Sequence, residues 1–415
     1  MKKTATPQTT AEMVQEAVDN VKILDIHTHI YNTAFGDLLL WGIDEILTYH
    51  YLVAEVFRVA PMPYDDFWAL SKRKQADHIW KHLFIERSPV SEACRGVLTC
   101  LNALGLDTAN RNLKEYRHYF ASTTTVDYLN TVFMTAGVRQ VVMTNNPFDN
   151  IERPVWEKGF KRDRRFRAAL RIDNLLVDWE NACDTLVSQG YDVEPRLGSW
   201  TISEIRRFLE DWVKKMKPAY MAASLPPTFA YPDNSPCGTI IEECILPIGR
   251  EYGIPFAMMI GVKKRVNPSL GDAGDSVGKA RIESVERLCQ DFPDNKFLVT
   301  MLSRENQHEL CIAARKFPNL MIFGCWWFLN NPSIIREITS ERIELLGLSM
   351  IPQHSDARVL DQLIYKWKHS REVITDVLID KYDSIATTGW KVTPSEVQRD
   401  VKMLFGGNFE EFIDS

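Results

Sequence analysis

The chain has 415 residues, with 49 Lys and Arg against 55 Asp and Glu, a formal net charge of −6, and 45% hydrophobic residues. That balance is ordinary for a soluble globular protein with a large core. No run reaches ~18 uncharged apolar residues, which excludes membrane-spanning helices, and mild acidity argues against a broad nucleic-acid surface, which needs clustered Lys and Arg.

In chain order, residues 1–20 carry two lysines but no apolar run, so no signal peptide is expected there. Eight short, almost continuously apolar runs then follow, at residues 22–29, 138–144, 166–172, 219–225, 255–262, 296–302, 320–326 and 348–354. Unbroken hydrophobicity, as opposed to alternation, marks strands buried on both faces of a parallel sheet. Amphipathic stretches such as 201–216, 281–291 and 304–316 lie between them. The β-α-β-α rhythm repeated eight times predicts a closed (β/α)8 TIM barrel.

A barrel takes ~250 residues, which leaves about 165 over. The 108 residues from 30 to 137 account for most of them. They read as helices at 45–59, 64–84, 90–104 and 125–136, an insertion in the first β→α loop, on the face where barrels build active sites. Further helices at 359–382 and 393–405 close the barrel. The expected organisation is one barrel domain over residues 1–415, with 30–137 as a helical wall or lid within it.

The eight cysteines form no C-x-x-C pair and read as reduced, buried thiols of a cytoplasmic protein. The densest basic run, Lys161 to Arg165, reads as a solvated turn.

The strongest chemical signal is Asp25-Ile26-His27-Thr28-His29 at the end of the first strand. Residues i and i+2 of a strand face one way, so His27 and His29 can share a metal ion at the barrel mouth. Asp356, in Gln353-His354-Ser355-Asp356-Ala357-Arg358, ends the eighth strand, next to the first in a closed barrel, and completes a three-residue ligand set. His354 is a weaker candidate, as a ligand or as a support behind the ligands. Imidazole suits Zn2+, with Mn, Fe and Co open.

The His-x-His on the first strand with an Asp ending the eighth resembles the amidohydrolase superfamily. Leu47–Arg58 (LTYHYLVAEVFR), Gly324–Pro332 (GCWWFLNNP) and Asp356–Arg358 (D-x-R) are similar, more narrowly, to uronate isomerases, in the shorter, divergent branch of that family. The resemblance covers nearly the whole chain. It implies interconversion of D-glucuronate with D-fructuronate, and of D-galacturonate with D-tagaturonate, by C2–C1 proton transfer through an enediol, with one divalent ion held by His27, His29 and Asp356. It further implies that His50 and Tyr51 assist ring opening and proton transfer, that Arg171 and Trp326 contact the sugar acid, and that Arg358 stabilises the enediolate. Either Asp356 or Tyr51 can then be the C2 base.

This agrees with the chemistry of the residues themselves. An enediol reaction needs a base, an acid and positive charge, and a uronate carboxylate calls for an arginine fork. Arg171, Lys264, Arg265, Arg304 and Arg358 all fall at expected C-terminal strand ends and predict a positive mouth. Strands four, five and six end Ala223-Ser224-Leu225, Met258-Met259-Ile260 and Thr300-Met301-Leu302, without the ligands of many metal hydrolases, so one ion is expected and not two. The competing expectation is a metal-dependent lactonase or decarboxylase of the same superfamily acting on an acidic substrate. The expected partner is a small uronate sugar, with no nucleic acid and no membrane, and assembly into a homo-oligomer is left open.

Overall fold

The computed structural model describes residues 8–415. Seven strands, β1 (Ile23–Thr28), β2 (Val138–Asn145), β3 (Phe166–Arg171), β4 (Met221–Leu225), β5 (Phe256–Ile260), β6 (Phe297–Met301) and β7 (Leu320–Ile322), pair in chain order and all in parallel. β1, β5 and β6 are buried at every position, as their unbroken apolar runs predict.

The eighth run does not form a strand. Ile351 makes a single bridge to Phe323, and Pro352, which has no N–H, cannot extend the ladder. Extended chain still occupies the eighth position. Gly324 N donates to Ile351 O (2.8 Å) on one side, while Asp356 N donates to His27 O (3.1 Å) and His29 N to Ala357 O (2.7 Å) on the other. The ring is closed by a seam of backbone bonds to the end of β1.

Side chains inside the ring form one apolar cluster that includes Leu24, Ile26, Val142, Ala169, Ala222, Ala257, Met259, Leu298 and Phe323, and Phe409 from the C-terminal helix Asn408–Asp414 joins it, fully buried. A larger cluster joins the outer strand faces to the surrounding helices.

Between β1 and β2 lie the helices Ile43–Leu47, His50–Val59, Tyr64–Trp68, Lys72–Trp80, Glu92–Ala103, Leu113–Ala121 and Thr125–Ala136. The predicted helix 45–59 is broken at Thr48-Tyr49. The Thr48 hydroxyl turns back to Asp44 O (2.7 Å) and Tyr49 is extended, a local competition that Thr side chains offer the backbone. The break starts a new helix at His50 and places His50 and Tyr51 in its first turn. Helix Leu113–Ala121, capped by Asn112, was not expected. The C-terminal helices are Gln362–Ala386 and Pro394–Lys402, followed by Asn408–Asp414.

Candidate active site

His27 and His29 leave the end of β1 where its pairing with β2 slips between Asp25 and Thr28, an irregularity of the kind that re-aims the side chains that follow. Their Nε2 atoms lie 3.6 and 3.5 Å from Asp356 Oδ1, and one ligand atom from each of the three residues falls within 4.8 Å of the others.

The surroundings fix which nitrogen of each ring carries hydrogen. Tyr220 gives its single hydroxyl hydrogen to Ile26 O (2.7 Å), so at His27 Nδ1 (3.1 Å) it accepts. Thr144 gives its hydroxyl hydrogen to Thr28 O (2.6 Å) and in the same way accepts from His29 Nδ1 (3.1 Å). Both imidazoles are neutral, because burial first of all depresses their pKa values, that of His27 well below the ordinary imidazole value. Each Nε2 therefore turns a lone pair toward the others and toward Asp356. Burial would raise the Asp356 carboxyl, whereas positive charge beside it, the Lys366 ammonium included, lowers it. Two lone pairs and a carboxylate converging on one point repel unless a cation lies among them. The donor set fits one divalent ion with open positions beside it.

Asp356 reaches this point from a left-handed backbone (φ 49°), a conformation that costs a non-glycine residue energy and is concentrated at functional sites. His354 is fully buried and outside the ligand set; both of its ring nitrogens lack hydrogen-bond partners among the described residues.

A cleft open to solvent lies in front of this cluster. His50, Arg171, Trp326 and Arg358 line it together with His27, His29 and Asp356. Tyr51 does not. Its hydroxyl is buried without a partner among the described residues, its ring lies under Lys366 Nζ at 5.6 Å, and burial pushes its phenol pKa well above the ordinary value. Tyr49, which sequence reasoning passed over, lines the cleft in its place. Trp326 and Trp327 both line it, although neighbours on a regular strand face opposite ways. β7 ends at Ile322, and Trp327 stands at φ 48° in a short turn.

The expected cations are only partly gathered. Arg304 pairs with Glu337 on the surface, and the exposed Arg265 gives its backbone N–H to Asp275; neither lines the cleft. The three that do are each matched to a carboxylate: Arg171 to Asp173 through Nε (2.8 Å) and Nη2 (3.1 Å), Lys264 to Asp275 (2.7 Å) and Arg358 to Asp272 (3.3 Å). With Asp356 counted, the lining carries three cations against four carboxylates, so the mouth is not positive as expected. Asp173 could have been suspected from its place two residues after Arg171. Nothing in the sequence marks Tyr220, Thr144 or Lys366, whose roles depend on contacts across the ring.

A His-x-His pair ending the first strand of a curled parallel sheet, with an aspartate joined to it across the seam, defines an enzyme of the amidohydrolase type. No protein-family model and no curated protein matches the chain. Among solved structures, a uronate isomerase from Bacillus halodurans C-125 is 58% identical, over 99% of this chain and 98% of that one, with a TM-score of 0.97. The chain belongs to the uronate isomerase family. A uronate isomerase from Thermotoga maritima (15% identity, 97% of each chain, TM-score 0.80) and a glucuronate isomerase from Caulobacter crescentus (14% identity, 98% and 94%, TM-score 0.76) share the fold.

Proposed function

We propose that this chain interconverts D-glucuronate with D-fructuronate, and D-galacturonate with D-tagaturonate, as a cytoplasmic enzyme that uses one divalent ion, Zn2+, held by His27, His29 and Asp356. The observation that carries the reading is the convergence of two imidazole lone pairs and an ionised carboxylate at the floor of a cleft also lined by Arg171 and Arg358. Membership of the family supports the substrate class. No helix among the described residues is long and apolar enough to cross a membrane, and all eight cysteines are free thiols.

Bound there, a divalent ion would orient and polarise the substrate oxygens. The Arg171 guanidinium, with Nη1 outside its pair with Asp173, receives the sugar carboxylate. Asp356, ionised and at the cleft, takes the proton from C2 and leaves the electron pair in an enediolate across C1 and C2. Arg358 faces that charge. The same carboxyl returns the proton to C1, while O1 gains and O2 loses a proton. His50, neutral because burial and Arg358 push its pKa down to about 3, serves ring opening as a hydrogen-bonding group. Tyr51, held protonated away from the cleft lining, is the weaker choice of base. Residues 30–137 act within a single barrel domain as the wall that delivers Tyr49 and His50 to the cleft.

Incubating the protein with D-glucuronate in deuterated water tests this. The expected result is ketose formation with deuterium partly incorporated at C1; no turnover of any uronate would sink the proposal. Arg171→Met is expected to raise KM chiefly, and Asp356→Asn to lower kcat.

A further inference from the structure

Lys366 is buried at 3% exposure on helix Gln362–Ala386, and the cleft does not include it. Its ammonium donates to Ser355 O (2.7 Å) and lies over the Tyr51 ring. A buried ammonium is costly, and a lysine that only filled space would be replaced by an apolar side chain of similar length without loss. What it holds is the peptide group joining Ser355 to Asp356. The oxygen of that peptide is gripped by Lys366, and its N–H donates to His27 O (3.1 Å). The preceding peptide is gripped as well, since Ser355 N donates to Asp25 Oδ1 (3.0 Å). Asp25, fully buried, takes the Trp367 indole N–H on its other oxygen (2.7 Å). Adjacent residues of one helix thus act on both polar groups of Ser355, Lys366 directly and Trp367 through Asp25.

We propose that Lys366 and Asp25 are positioning residues that clamp Ser355 from both sides and so hold Asp356 in the left-handed conformation from which its carboxylate meets His27 and His29. The inference rests on Asp356 being the ligand and proton carrier. Through its contact with Tyr51, Lys366 also ties this turn to helix His50–Val59, so the clamp joins the residues on the two sides of the cleft.

Two variants test it. Lys366→Met keeps the stem and removes the donor, and Trp367→Phe removes only the hydrogen bond to Asp25. Zn2+ affinity by chelator competition, kcat and KM for D-glucuronate, and thermal melting are measured for each. Lys366→Met is expected to weaken Zn2+ binding and lower kcat, each by roughly tenfold or more, while KM moves less than about threefold because Arg171 is untouched. Trp367→Phe is expected to shift the same quantities by less. A folded Lys366→Met with wild-type kcat and Zn2+ affinity overturns the proposal, and if that variant does not fold, a wild-type result for Trp367→Phe does so. Asp356→Asn is measured alongside: if it keeps both turnover and Zn2+ affinity, the role of Asp356 and the clamp fall together, whereas its failure beside unaffected clamp variants overturns the clamp alone.

Discussion

A histidine ligand is only as good as the atom that holds its other nitrogen. Tyr220 and Thr144 supply that atom for His27 and His29, and each is locked in turn to a backbone carbonyl at the end of β1. Removing the Tyr220 hydroxyl frees His27 to place its hydrogen on either nitrogen. Tyr220→Phe is accordingly expected to weaken divalent-ion affinity by roughly 10- to 100-fold with little change in fold, read by chelator competition; unchanged affinity would show that the ring orientation is set by packing alone. That His27, His29 and Asp356 would meet was legible in the sequence, because spacing along one strand and the closing of a ring are local and topological rules. Their supports were not. Tyr220 lies 193 positions from His27, and no periodicity within either segment hints that they meet.

At the level of elements, seven of the eight strands were legible because buried parallel strands write themselves as unbroken apolar runs. The eighth was misread because apolar character says nothing about a missing N–H or a left-handed turn, and Pro352 and Asp356 supply both. The same loss of regularity shapes the end of β7. Gly324 stands at φ 68°, and a Cβ there would collide with the His354 ring. Gly324→Ala thus combines backbone strain with overpacking beside the ligands and is expected to cost about 2 kcal/mol or more in urea unfolding. A loss below about 0.5 kcal/mol, the range of neutral surface changes, would mean that the His354 ring moves aside freely. Helix His50–Val59 shows another limit of pattern reading. Its apolar stripe was visible, yet the stripe does not register the break at Thr48-Tyr49 that brings Tyr49 to the cleft.

For the molecule as a whole, the formal charge of −6 says little about the site, where each cation has its own carboxylate. The burial of histidines says more. Burial lowers the pKa values of His27 and His29, and takes His50 down to about 3 and His354 to about 4. The unfolded chain binds protons at these positions near pH 6.5 and the folded one does not. The stability they contribute is therefore complete above pH 6.5 and is lost as pH falls toward 4, at about 1.4 kcal/mol per unit for each ring. The carboxyls of Asp25, raised to about 6, and of Glu152 and Asp361, also raised, work in the opposite sense at the lower end of that window. Four histidines outweigh three carboxyls, so the melting temperature of the metal-free protein is expected to fall by several degrees between pH 7 and pH 5; a flat profile would mean that the rings protonate without leaving their places.

The seam between β1 and the segment ending at Asp356 also sets when the site can exist. Its halves are distant in sequence, with residues 30–355 between them. A nascent chain exposes the two histidines long before the aspartate, so any fragment that ends short of Asp356 lacks the complete donor set. A site built from all three residues therefore forms only once the ring has closed, and is not expected to be the nucleus around which the barrel assembles.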